Sequence, residues 1–221
     1  IHNDVVVGDT AGNYLRGNAG NDTIAGGDGN DFVQGDAGAD ILNGGNGNDW
    51  AYYAASTAGV TVNLGNASLN AGGDAEGDTF ISIENVFGSV HADHITGTSG
   101  GNHLRGRQGD DILYGDGGVD YLQGDDGADQ HFGGSGNDWA LYISATAGVT
   151  INFTNPGLNT GEAAGDTYDS VEYIRGSGFA DDLTGDAQSN YIRGNNGNDV
   201  IRGEAGADFL AGENGADALF G

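Results

Sequence analysis

An apolar residue, most often Val, Ile or Leu, returns at every ninth position over long stretches of this chain, and the residues before it are small or polar. In Gly26-Gly27-Asp28-Gly29-Asn30-Asp31-Phe32-Val33-Gln34, glycine holds positions one and four, aspartate position six, and Val33 position eight. Gly106 to Tyr114 and Gly194 to Arg202 follow the same order. The glycine-rich part predicts a loop, because glycine admits positive φ and close backbone approach, and the last three residues predict a strand with position eight turned inward. One nonapeptide then makes half a coil. Two make a coil of about eighteen residues, stacking at roughly 4.8 Å, the ordinary spacing between neighbouring strands.

The register runs from Gly8 through Tyr52, from Gly88 through Leu141 and from Gly176 to Gly221. A longer period of about eighty-nine residues encloses it: His2-Asn3-Asp4, His91-Ala92-Asp93 and Phe179-Ala180-Asp181 open three copies, and the first two close on Asp49-Trp50 and Asp138-Trp139. After each tryptophan the glycine period stops. Gly59 to Leu64 and Gly148 to Phe153 there alternate apolar with polar residues, as half-buried strands do. The expected organisation is therefore repeat block 1–52, insert 53–87, block 88–141, insert 142–175 and a truncated block 176–221, with each insert a widened continuation of one stack. Ile1 and Gly221 both fall inside a repeat, so the chain reads as an excerpt of a longer array.

The nonapeptide is similar to the repeats-in-toxin (RTX) repeat, G-G-x-G-x-D-x-U-x, over roughly two thirds of the chain. That resemblance implies an all-β, right-handed parallel β-roll (a β-helix or solenoid) with two widened inserted coils, and calcium as its cofactor. Composition agrees on separate grounds. Thirty-three carboxylates face six arginines and no lysine, a net charge of -27, so the chain repels itself until cations arrive. With no cysteine and no methionine, disulfides and thiolate metal sites are excluded. No apolar run reaches the roughly eighteen residues of a membrane span, and nothing at the start resembles a signal peptide.

Calcium takes six to eight oxygens, about as many as two loops can offer together with backbone carbonyls. Loops two repeats apart are neighbours in the stack, so ligands pair at eighteen residues: Asp22 with Asp40, Asp31 with Asp49, Asp111 with Asp129, Asp120 with Asp138, and Asp199 with Asp217. Asp4, Asp93, Asp181 and Asp208 form a second rank of expected ligands, in loops lacking the full glycine pattern or facing a weak neighbour. Asn13, Asn102 and Asn190 replace aspartate and predict turns without metal. Asp78, Glu84, Asp166 and Glu172 at the insert junctions predict hydrogen-bonded or solvated carboxylates.

Position seven in alternate repeats gives Tyr14, Phe32, Trp50, then His103, Tyr121, Trp139, then Tyr191 and Phe209, an outward aromatic face flanked by Arg16, Gln34, Arg105, Gln123 and Arg193. Two accounts stand: rings that stabilise their neighbours, or a surface for an extracellular polysaccharide or another domain of the parent protein. His131 falls on the inward position eight and predicts a buried or displaced histidine. Catalysis finds no support, since the chain lacks lysine, a cysteine nucleophile, H-E-x-x-H and G-x-S-x-G. Nucleic acid is not an expected partner.

The resemblance further implies a secreted or cell-surface bacterial protein, exported unfolded through a type I secretion channel and folding on extracellular calcium. In that setting the module serves as a stability element or adhesin extender, with a carbohydrate-binding face or an accessory role beside a secreted protease, lipase or epimerase as alternatives.

Overall fold

In the computed structural model, which describes residues 2–221, the chain winds as a β-solenoid of short parallel strands, with four single-turn 3-10 segments as its only helix. Ile1 lies outside the described residues. Strand partners within the repeat blocks are eighteen residues apart: Val5 pairs with Thr23 and Thr23 with Ile41, Tyr14 with Phe32, His103 with Tyr121, Tyr191 with Phe209. Position eight forms a column through the interior, in which Ile24, Val33, Leu42, Ile95, Leu104, Leu113, Leu122, Leu183, Ile192 and Ile201 are fully buried. Since each coil contributes only two such residues, the core is one side chain wide on each face, and neighbouring coils are held by backbone ladders as much as by burial.

His131 occupies that column and is 1% exposed, stacked on the Tyr168 ring at 5.4 Å, with neither ring nitrogen hydrogen-bonded. It is buried, not displaced. Burial depresses its pKa to about 4, so it stays neutral in the apolar interior.

The two faces differ. One is a single ten-stranded sheet, running through Tyr14–Arg16, Phe32–Gln34, Trp50–Tyr52, Asn85–Phe87, His103–Gln108, Tyr121–Asp126, Trp139–Leu141, Tyr173–Arg175, Tyr191–Arg193 and Phe209–Ala211. The opposite face is broken into three sheets, and both breaks fall at the inserts. After Trp50–Tyr52 the chain first runs ahead, placing Thr61–Asn63 beside His94–Thr98 of the coil that follows. It then returns through the turns Ala67–Leu69 and Gly73–Ala75 and lays Thr79–Ile81 beside Ile41–Asn46 of the coil that precedes. The second insert does the same with Thr150–Asn152 and Thr167–Asp169.

A buried asparagine fixes each reversal. The Asn63 N–H donates to Asn70 Oδ1 at 2.6 Å, and the Asn70 amide donates to the Asp78 carbonyl at 2.8 Å. Asn159 makes the same pair of bonds with Asn152 and Asp166, at 2.7 and 3.0 Å. Each insert thus supplies two strands to the broken face and one to the continuous face.

Candidate metal centres

The position-six aspartates line both edges of the solenoid, where loops stack directly upon loops. In each, Oδ1 accepts the backbone N–H of the residue one coil earlier: Asp22 N–H donates to Asp40 at 2.7 Å, Asp31 to Asp49 at 2.8 Å, Asp111 to Asp129 at 2.8 Å, Asp120 to Asp138 at 2.9 Å and Asp199 to Asp217 at 3.0 Å. This bond locks the carboxylate and turns Oδ2 into the loop. There Oδ2 of Asp22, Asp31, Asp40, Asp49, Asp111, Asp120, Asp129, Asp138 and Asp199 is buried with no hydrogen-bond partner. A buried, unpaired carboxylate oxygen costs several kcal/mol, so nine in one small fold require a compensating cation or proton. The position-one glycine exists for this oxygen: a Cβ on Gly35 or Gly115 would overlap Oδ2 of Asp40 or Asp120.

The loops fall into two classes, set by the backbone at position two. In the open class that residue is left-handed: Asn18, Gly27, Asp36, Gly45, Arg107, Asp116, Asp125, Gly134, Asn195, Glu204 and Glu213 have φ between 65 and 112°. In the closed class it is not, and its N–H turns inward to cap the position-six side chain. Ser89 and Ser177 donate to Oδ2 of Asp93 and Asp181 at 2.6 and 2.7 Å, and Asp9, Thr98 and Asp186 donate to Oδ1 of Asn13, Asn102 and Asn190 at 2.7 to 2.8 Å. Closed loops have satisfied their own oxygens. Two open loops stack at five places, which carry Asp22 and Asp40, Asp31 and Asp49, Asp111 and Asp129, Asp120 and Asp138, and Asp199 and Asp217. Asp208 sits in an open loop but meets the closed Asn190 loop, and Asp4 hydrogen-bonds upward to Asp22.

Among the described residues no three His, Asp or Glu side chains converge, so each stack brings two carboxylates, and other oxygens such as backbone carbonyls would complete a calcium shell. That donor set is hard and all-oxygen, as calcium requires. Arginine at position nine braces the open loops from outside: Arg16 pairs with Asp36, Arg105 with Asp125 and Arg193 with Glu213, each twenty residues on.

Burial pushes the metal-free carboxyls upward, Asp111 to about 9, Asp129 to about 8, Asp120 to about 7 and Asp40 to about 6, and neighbouring aspartates add to the effect. All four lie above the ordinary 3.8 of the unfolded chain. The metal-free fold therefore gains stability from protonation, fully below the unfolded value, and loses it as pH rises through the folded values of about 6 to 9. Acid should stand in for metal: in excess chelator, sheet circular dichroism absent at neutral pH is expected to return as pH falls to about 4. A metal-free chain equally unstructured at both pH values would refute this.

At the inserts the rows end on phenols. Asp78 accepts the Asp40 N–H at 2.9 Å as a next repeat would, but its second oxygen takes the buried Tyr53 hydroxyl at 2.7 Å. Asp166 accepts the Asp129 N–H at 2.9 Å and the Tyr142 hydroxyl at 2.5 Å. On the other edge Glu84 and Glu172 accept the N–H of Asp49 and Asp138 at 2.9 and 3.0 Å. Sequence reasoning missed the tyrosines, although both stand first in the aligned inserts. Tyr53→Phe or Tyr142→Phe strands a buried carboxylate oxygen and is expected to cost about 1 to 3 kcal/mol in urea denaturation with calcium present. No change in midpoint would count against the capping role.

The continuous sheet displays the aromatic row, extended by Tyr173, which contacts Trp139 at 4.9 Å and Tyr191 at 5.6 Å. Phe32 and Trp50 stack at 6.0 Å, Tyr121 and Trp139 at 6.4 Å, and Tyr191 meets Phe209 at 4.6 Å. Tyr14 contacts Tyr52 edge-on. At buried Asn85 the row lacks a ring, and the Trp50 and His103 rings meet across it at 4.9 Å.

No curated protein matches the chain. A family model, the RTX calcium-binding nonapeptide repeat, matches residues 2–33, 16–51, 87–122, 117–140, 167–201, 175–210 and 193–221. The unmatched stretches, 52–86 and 141–166, contain the forward strands and reversing turns of the inserts. With well over half of its residues matched, in the register that stacks the buried carboxylates, the chain belongs to the RTX calcium-binding nonapeptide repeat family.

Proposed function

We propose that this chain is a calcium-triggered structural module of a secreted bacterial protein, disordered where calcium is scarce and a stiff solenoid where it is abundant, with no catalytic role. The observation that carries this reading is the set of buried, partnerless Oδ2 atoms, concentrated where open loops stack. Five ions, one in each doubly open stack, would neutralise ten of the thirty-three carboxylates, and the uncharged or self-capped loops between them would stay metal-free. No helix is long and apolar enough to cross a membrane. Export before folding, and a place as an extender in a surface adhesin, fit a module whose folding waits for an external ion. The test is a calcium titration followed by circular dichroism, with bound ions counted by native mass spectrometry and magnesium as control.

A further inference from the structure

The aromatic row lacks a ring at Asn85, where the Trp50 and His103 rings close to 4.9 Å, and an open cavity of about 300 Å³ lies there. Trp50, His103 and Tyr121 supply its rings, Asn48 an amide and Val119 one wall, while the Asn102 side chain beside them is already bonded to the Glu84 carbonyl and the Thr98 N–H. In a chain of net charge -27 its lining is unusual: it holds no carboxylate and no arginine. Other cavities of the solenoid include Asp9 and Asp28, or Glu84, or Asp125, Asp126 and Glu162, or Asp182 and Glu204. His103 adds no charge, because burial lowers its pKa below the ordinary 6.5.

The second insert carries a ring at the matching position. Asn85 and Tyr173 occupy the same register position in the two inserts, Asn85 between Trp50 and His103, Tyr173 between Trp139 and Tyr191. The Tyr173 ring packs against both of its neighbours. Asn85 instead folds inward, donating to the Asp49 carbonyl at 3.1 Å and to Asn48 Oδ1, and accepting the His103 N–H at 2.9 Å. The fold therefore tolerates a ring here, and the first insert lacks one. Asn48, whose oxygen is taken by Asn85, keeps its amide N–H groups for another acceptor.

We propose that this cavity binds a sugar unit of a neutral glycan. Aromatic faces receive the C–H face of a pyranose, the free Asn48 amide addresses a hydroxyl, and the uncharged lining matches a ligand without charge in a protein that would repel an acidic one. The site goes beyond the calcium reading but depends on the folded stack, because Asn48, Asn85 and Asn102 come from three successive coils of one edge.

The test titrates the folded chain, in calcium, with neutral cello-, malto- and chito-oligosaccharides and with an acidic uronate oligomer, following tryptophan fluorescence, while circular dichroism reports the fold. Saturable millimolar or tighter binding of at least one neutral series is expected, and the uronate should bind more weakly. Asn85→Tyr, which copies the second insert, should weaken binding about tenfold or more with the sheet signal intact. Tyr173→Asn should open a second equivalent site. If Asn85→Tyr lowers the sheet signal, Tyr173→Asn decides alone, and an unchanged number of sites overturns the proposal. Absence of neutral-sugar binding by a chain with full sheet signal overturns the glycan site and leaves the calcium reading standing, as does undiminished binding by folded Asn85→Tyr or preference for the uronate.

Discussion

Chelation of calcium from the folded chain at neutral pH is expected to abolish its sheet signal and expand it to the dimensions of a disordered acidic polymer. At about 1 mM free ion and a site Kd near 0.1 mM, each ion contributes roughly 1.4 kcal/mol, and five contribute about 7 kcal/mol. That is comparable with the whole net stability of an ordinary domain, about 5 to 15 kcal/mol. Two further terms act in the same direction. The ions remove ten negative charges from a chain of net charge -27, and they give partners to buried oxygens that otherwise have none. Magnesium should not substitute, because it prefers tight octahedral geometry and surrenders its water reluctantly. Small-angle scattering with circular dichroism in excess chelator measures the effect. A compact chain with unchanged sheet content under those conditions would falsify the switch.

The second large effect belongs to a single methyl group. Gly136, at position four of the open loop that ends in Asp138, has φ 147°, and a Cβ there would overlap the carbonyl oxygen of Gly118 in the coil beneath. Both parties are backbone, so neither can rotate away. Gly136→Ala must part the coils or flip the loop, and either change separates the Asp120 and Asp138 carboxylates. We expect a loss of about 3 kcal/mol or more in calcium, combining backbone strain, steric overlap and the loss of one bound ion. Gly178→Ala is the control: nothing lies within 4 Å of its would-be Cβ and its φ is not positive, so the change should stay within about 0.5 kcal/mol. Equal denaturation midpoints for the two variants, measured in calcium, would sink the steric account.

What the sequence discloses follows from its regularity. A nine-residue beat with one apolar position fixes coil length, strand register and the inward column, because each repeat meets the repeat two places on and nothing else. The same arithmetic brings Asp22 to Asp40 and Asp120 to Asp138. Loop class is less visible, since it depends on backbone sign at position two, where Asp36, Asp125, Glu204 and Glu213 adopt the left-handed form without being glycine. Counting glycines misses them. The inserts hide more: Tyr53 and Asp78 lie twenty-five residues apart in the chain, and no local period announces that Thr61–Asn63 pairs with the coil ahead while Thr79–Ile81 pairs with the coil behind. The inward turn of Asn85, against the outward ring of Tyr173, depends on hydrogen bonds to Asn48 and Asp49 that form only once the coils are stacked.

The unequal strand supply at the inserts has a mechanical consequence. At about 4.8 Å per strand, the surplus strand of each insert lengthens the broken face relative to the continuous one, as a wedge-shaped stone lengthens the outer curve of an arch. Such a difference would place the continuous face on the inside of a curve, and tension along the rod, which opens an arch, would then pull first on the keystones, held by the Asn70 and Asn159 side chains and the phenol-capped carboxylates. An array of this design would have compliant joints spaced between calcium-stiffened segments, and would yield under load at the joints first.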